Sequence, residues 1–259
     1  MSNERGESTG GVQSVDRAIS VLEILAQRGE AGVSEVAADI GVHKSTAFRL
    51  LAALEERELV EQTQDRGKYR LGFGILRLAS AVPGQLDVTH QARALSEQLA
   101  AQVGETVNIA VRRSHFVVNI DQARGPSAVA THNWVGELTP LHATSSGKIL
   151  LAYMAPEERR NMLASAGLAR LTPHTITSQR ELEEQIEAAA RDGYASSVEE
   201  LEEGLNAVAA PIRDHTGGVI AALSVSGPVY RFSEDRMREV TPDVVAAAAA
   251  ISQRMGHLD

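Results

Sequence analysis

The stretch Val33 to Leu54, VSEVAADIGVHKSTAFRLLAAL, constrains the fold more tightly than any other part of this chain. Ser34 is a good N-cap one residue before Glu35, and Val36, Ala37 and Ile40 recur at helical spacing. Residues 34 to 40 are therefore predicted to form a short capped helix. Gly41 breaks it, Val42 supplies an apolar plug for the turn, and a second helix is predicted from Lys44 to Glu56. Two helices this short and this closely joined make a helix-turn-helix. In the second, Ala47, Leu50, Leu51 and Leu54 share one face, whereas Lys44, Ser45, Thr46 and Arg49 fall off it near the N-terminal end. The N-terminal residues of such a helix reach base edges and phosphates. Arg49 is placed to fork onto a guanine, Ser45 and Thr46 to donate to phosphate or bases, and His43 to add a contact at the turn.

A helical hairpin with an ordinary solvated face would carry the same polar residues, and a glycine between helices is common. The next residues separate the two readings. Leu59-Val60-Glu61 and Lys68-Tyr69-Arg70-Leu71 are predicted strands around a polar turn, Asp65-Arg66-Gly67, which puts a hairpin directly after the recognition helix. That is a wing. Arg66, Lys68 and Arg70 give it positive charge suited to phosphate contacts beside the groove.

The net charge of −9 runs against the basic surface usual for nucleic-acid binding, but most of it lies elsewhere. Residues 1 to 80 carry 10 Lys and Arg against 12 Asp and Glu, so this part is close to balanced. The expectation is specific binding with little non-specific affinity. At 259 residues and 43% hydrophobic content the chain can hold two domains with cores. It has no cysteine, which removes disulfides, thiolate catalysis and cysteine-ligated metals, and its eight histidines show no i, i+4 pairing. No apolar run approaches a membrane span, and MSNERGESTGG lacks a hydrophobic signal core, so a cytoplasmic protein with no cofactor, metal or membrane partner is expected.

Residues 1 to 12 are expected to be a mobile tail. Ser14 is predicted to cap a helix to Gln27 with Val15, Ala18, Ile19, Leu22 and Leu25 as its buried stripe, followed by a loop at Gly29-Glu30-Ala31-Gly32. After the wing, GILRLASAV forms a linker helix whose apolar residues Phe73 and Leu76 have no partner in so small a domain, so a matching helix of a second subunit is the natural one. A long helix follows from Asp87 to Val103, striped by Val88, Ala92, Leu95, Leu99 and Val103. From Glu105 the period changes to strands: 105 to 113, 116 to 122 and 128 to 131, then a loop through Gly136 and Pro140. Helices are predicted from Ser145, from Pro156 and after Ser178, the last stopping at Gly193. Strands 205 to 212 and 219 to 226 precede a final helix from Ser233. The fold class is α+β, divided as a winged helix-turn-helix domain (13–72), a linker helix (73–86) and a second domain (87–259).

VQSVDRAISVLEIL at the start, the wing sequence YRLG, and then ETVNIAV, PLHATSSGK, DGYA, APIRD and ALSVSGP occur in an order that resembles the IclR family of bacterial transcriptional regulators, over residues 12 to 256. The resemblance implies a homodimer or homotetramer that binds operator DNA, with a GAF-like C-terminal domain that binds a small-molecule effector. Carried over residue by residue, it places the effector pocket at Ala128, Thr131, Ser145, Ser146, Ser197, Leu205, Ala207, Ser224 and Ser226. Members that bind small keto acids often carry Asp where this chain has Ser197, Cys where it has Ala207, and in some cases Met where it has Thr131. This pocket is thus richer in hydroxyls and less charged. A ureide such as allantoin is expected ahead of a 2-oxo acid, and a repressor released by effector ahead of an activator.

An enzyme is the alternative of a different class. His142 lies three residues before Ser145, which would allow a hydrolase, but there is no G-x-S-x-G elbow. SSGK has no Ser or Thr after Lys148 and no Gly at 142, so it is not a nucleotide loop.

Overall fold

The computed structural model describes residues 13–63, 67–80, 85–126 and 133–257. The chain divides into two compact units, Met1–Pro83 and Gly84–Asp259. The predicted strand at 128 to 131 lies outside the described residues, as does the N-terminal tail.

The first unit begins with α1 (Gln13–Arg28), β1 (Ala31–Gly32), α2 (Val33–Asp39) and α3 (Lys44–Glu56). It continues with β2 (Val60–Gln62), β3 (Lys68–Leu71) and α4 (Gly74–Ser80). The α3 boundaries coincide with those predicted, because its apolar period runs unbroken to the end. Three details differ. The cap of α2 is Gly32 rather than Ser34, its N–H held by the Glu35 carboxylate at 2.6 Å, and Ser34 lies inside the helix. The predicted loop at 29–32 contributes β1, which pairs with β3 through Ala31↔Tyr69 and gives a three-stranded sheet ordered β1-β3-β2. Two residues carry no periodic signal, so only the partner strand makes them a strand. Ser14 lies within α1, and the expected stripe divides: Leu25 enters the core, joined by Val21, which the stripe did not include, and Ala18 and Leu22 flank it. Val15 and Ile19 stay half exposed, since at 100° per residue they turn away from the face that α3 and β3 cover.

The turn between α2 and α3 is closed by Gly41 at φ +65°, a left-handed conformation that glycine adopts without penalty, and by Val42 N–H donating to Ala37 O at 2.9 Å. Val42 packs on a core of Val21, Leu25, Val36, Ala47, Leu51 and Tyr69.

The second unit opens with α5 (Gln85–Val103), β4 (Thr106–Arg113), β5 (Phe116–Ala123) and β6 (Leu138–Pro140). A 3-10 turn (Leu141–Ala143) leads into α6 (Ser145–Ala152), α7 (Pro156–Ala166) and α8 (Gln179–Asp192). It ends with β7 (Ala195–Val198), β8 (Leu205–Arg213), β9 (Val219–Pro228) and α9 (Glu234–Arg254). β6 occupies a stretch expected to be loop, and β7 adds a strand directly after Tyr194. All six strands join one antiparallel sheet ordered β6-β5-β4-β9-β8-β7.

Period-two alternation decides which face each residue serves. Val107, Ile109 and Val111, with Ala221, Leu223 and Val225, belong to the core shared with α5 and α9. Ala110, Ala209 and Ala222 belong to the opposite core, shared with α6 and α8. The sheet is therefore covered on both faces. Small residues line the α6 side, and this lets α6 lie close to the strands.

Candidate functional site

On α3 the described surface is polar and cationic at its N-terminal end. His43, Lys44, Ser45 and Arg49 are exposed and Thr46 is partly so, while Ala47, Leu51 and Leu54 are buried beneath them. Among the described residues no carboxylate lies within ion-pair distance of Lys44 or Arg49. The wing is less cationic than its sequence implies. Lys68 pairs with Glu30 at 2.5 Å and Arg70 with Glu61 at 2.6 Å, pairs that form because β1 and β2 flank β3 on its two sides. Exposed pairs of this kind contribute about 0 to 1 kcal/mol, so a phosphate can displace either carboxylate at little cost. Arg66 lies outside the described residues.

In the second unit, seven residues singled out from the sequence line a single cavity, part of it open to solvent. Ser145 and Ser146 come from the first turn of α6, Ser197 from β7, Leu205 and Ala207 from β8, and Ser224 and Ser226 from β9. Ala128 and Thr131 lie outside the described residues. The structure adds Asn108, Val117, Asn119, Trp134, Thr139, Thr144 and Leu201 to the lining. Trp134 and its neighbour Asn133 stand out in the sequence as polar and aromatic groups next to the predicted pocket, but Asn108 and Asn119 enter only through the strand register, which no local pattern encodes.

The polar groups of the cavity are organised. Gln122 Nε2 donates to Asn108 Oδ1 at 3.1 Å, and Asn108 Nδ2 donates to Ser226 Oγ at 3.2 Å. Thr144 Oγ1 accepts from Gly147 N–H at 3.0 Å and caps α6. The N–H groups of Ser145 and Ser146, at the start of α6, have no i−4 carbonyl in the helix and present the positive end of its dipole. Among the described residues, no charged side chain lines this cavity.

Behind the cavity, Lys148 is one of the largest fully buried side chains. Its Nζ donates to Glu200 Oε1 at 2.5 Å, Gln185 Oε1 at 2.6 Å and Ser196 O at 2.9 Å. Burial pushes the Glu200 carboxyl up and the Lys148 ammonium down, each opposed by the charge of the other. His142 is turned elsewhere: its Nε2 meets Ala169 O at 3.0 Å, and it lines a different cavity with Phe116, Met162 and Ala169. Burial holds its pKa below the ordinary histidine value, so the ring stays neutral. A Ser145/His142 pair is thus not assembled. Among the described residues no cluster of His, Asp and Glu could hold a metal ion, and no helix is long and apolar enough to cross a membrane.

A winged helix-turn-helix unit followed by an α+β unit that holds a polar cavity is the architecture of a transcription regulator. Residues 14–64 match the pattern described as the IclR helix-turn-helix domain, and residues 80–253 match that of the bacterial transcriptional regulator IclR C-terminal. The chain belongs to the IclR family of transcriptional regulators. It is 35% identical to the HTH-type transcriptional repressor AllR of Salmonella paratyphi A, over 95% of this chain and 91% of that protein. It is 33% identical to the HTH-type transcriptional regulator KdgR of Dickeya chrysanthemi, over 96% of this chain and 81% of that protein. The crystal structure of the Thermotoga maritima IclR superimposes with a TM-score of 0.78 at 29% identity, covering 95% of this chain and all of that one.

Proposed function

We propose that this regulator is a repressor that binds its operator as a dimer or tetramer and is released by a small, neutral metabolite rich in hydrogen-bonding groups. The observation that carries the ligand class is the cavity lining: serine, threonine and asparagine side chains beside the open end of α6, with no cation among the described lining residues to neutralise an acid. A ureide such as allantoin suits that chemistry, since its carbonyls and N–H groups call for donors and acceptors of the kind these side chains supply. A 2-oxo acid is the second choice, its carboxylate resting on the α6 N-terminus alone.

On the DNA side, Arg49 is assigned a base contact, Ser45, Thr46 and His43 supporting contacts, and Lys44, Arg66, Lys68 and Arg70 phosphate contacts. Val15, Ile19, Phe73, Leu76 and Leu78 are exposed apolar residues of the first unit, which supports pairing with a second copy. Two recognition helices then enter successive major grooves of a palindromic site. Effector binding favours an arrangement whose spacing no longer fits. A ligand shifts this equilibrium only by its differential affinity for the two states. Activation by the same linkage is the alternative sign. Such a protein works where the chromosome is, in the cytoplasm.

The test is retention of DNA from upstream of its own and adjacent genes, with and without a panel of ureides and 2-oxo acids. Release by one compound supports the reading and names the effector; failure to retain any fragment at low and moderate salt overturns it. Arg49→Ala is expected to weaken specific binding by about 1 to 3 kcal/mol while leaving the fluorescence response of Trp134 to effector unchanged. Ser224→Ala is expected to do the reverse, raising the effector concentration needed for release about 10-fold, as the loss of one hydrogen bond predicts, with operator affinity intact.

A further inference from the structure

Four phenylalanines occur in the chain, and one of them, Phe48, stands on the recognition helix with 54% of its surface exposed. It lies between Ser45 and Arg49 at helical spacing, on the flank of the outward face, while Ala47 and Leu51 on the other side are fully buried. An aromatic ring left in water there gives up the stabilisation that burial gives Ala47, Leu51 and Leu54 on the same helix. Its neighbours Lys44, Ser45 and Arg49 are cationic or hydroxylic, so a second protein surface meeting Phe48 would also have to desolvate them. The major groove of DNA accepts both: phosphates and guanine edges for the polar groups, and the C5 methyl of thymine as the one apolar group on a base edge.

We propose that Phe48 is a specificity-determining residue that packs on a thymine methyl in the operator, close to the base contacted by Arg49. This rests on the reading that α3 enters the major groove. Apolar contact distinguishes thymine from cytosine and from uracil, and uracil isolates the contact because it differs from thymine in the methyl alone.

The experiment selects duplexes from a random library with the full-length wild-type chain, then replaces each thymine of the selected site in turn by deoxyuridine. Loss of affinity of roughly 4-fold at one thymine in each half-site is expected, the size of one buried methyl. Phe48→Ala should bind the selected site more weakly and be indifferent to deoxyuridine at that position, with an unchanged state of association and unchanged response of Trp134 to effector. The proposal is overturned if deoxyuridine has no effect at any position, if Phe48→Ala remains as sensitive as wild type, or if it alters self-association but not the selected sequence. If the wild-type chain selects no sequence at all, the operator reading fails first and this one with it.

Discussion

Gly147→Ala is expected to lower the stability of the ligand-binding unit by about 3 kcal/mol or more, read as a fall in the urea midpoint of Trp134 fluorescence. Trp134 is the only tryptophan in the chain and lines the cavity, so its emission follows this unit. A Cβ at position 147 would stand 2.0 Å from Leu141 O and 2.6 Å from the Leu141 carbonyl carbon and Cα. All three are backbone atoms. An ordinary contact is about 3.5 Å, so either the buried turn Leu141–Ala143 or the start of α6 has to move by roughly 1.5 Å. Movement of α6 breaks the Gly147 N–H bond to Thr144 Oγ1 and displaces Ser145 and Ser146 from the cavity wall. Effector response is lost together with stability. Gly193→Ala supplies the comparison. Gly193 ends α8 at φ +76° with nothing near an added Cβ, so alanine there carries only the left-handed backbone penalty, about 1 kcal/mol. If the two variants melt alike, the close approach of α6 to the turn is not what requires glycine at 147.

The contrast between those two glycines shows what a sequence discloses. Gly193 is legible because it follows a capped, amphipathic segment at the place where a helix must stop. Gly147 sits in the first turn of α6, where no sequence rule asks for glycine; its reason lies in a contact with Leu141 that exists only after folding. The same division runs through both units. α3 is readable to the residue because its core stripe and its polar face coincide with one period, whereas β1 and β6 are strands only because β3 and β5 offer them partners. The seven cavity residues that the sequence identified came through family resemblance, and alternation alone supports just the pair Ser224 and Ser226. Asn108 and Asn119 needed the register of β4 against β9 and β5. The pairing of Lys68 was not legible for a related reason: Glu30 lies 38 residues before it, and only the sheet brings them together.

Lys148→Met is expected to cost about 3 to 5 kcal/mol, because it strands a buried carboxylate rather than because the ion pair is itself strongly stabilising. Lys148 Nζ bonds Glu200, Gln185 and Ser196 O, and so joins α6, α8, β7 and the β7–β8 connection. Three of these segments also supply cavity lining, through Ser146, Ser197 and Leu201. The pH dependence identifies which group carries the loss. Burial already raises the Glu200 carboxyl, and Lys148 is the charge opposing that rise, so the substitution raises it further. A carboxyl whose folded pKa exceeds its unfolded one favours folding most when protonated, and that advantage disappears as pH rises through the folded value. The deficit of Lys148→Met relative to wild type should therefore be smaller at about pH 5 than at about pH 7.5. Lys148→Met/Glu200→Leu should recover most of the stability at both, since no charge is then buried. Equal deficits for the single variant at the two pH values would place the cost in lost packing and hydrogen bonds to Gln185 and Ser196, not in Glu200. Effector response separates stability from position: a double variant that folds normally but answers weakly to effector would mean that the buried pair also holds α6 and β7 at the spacing the ligand needs.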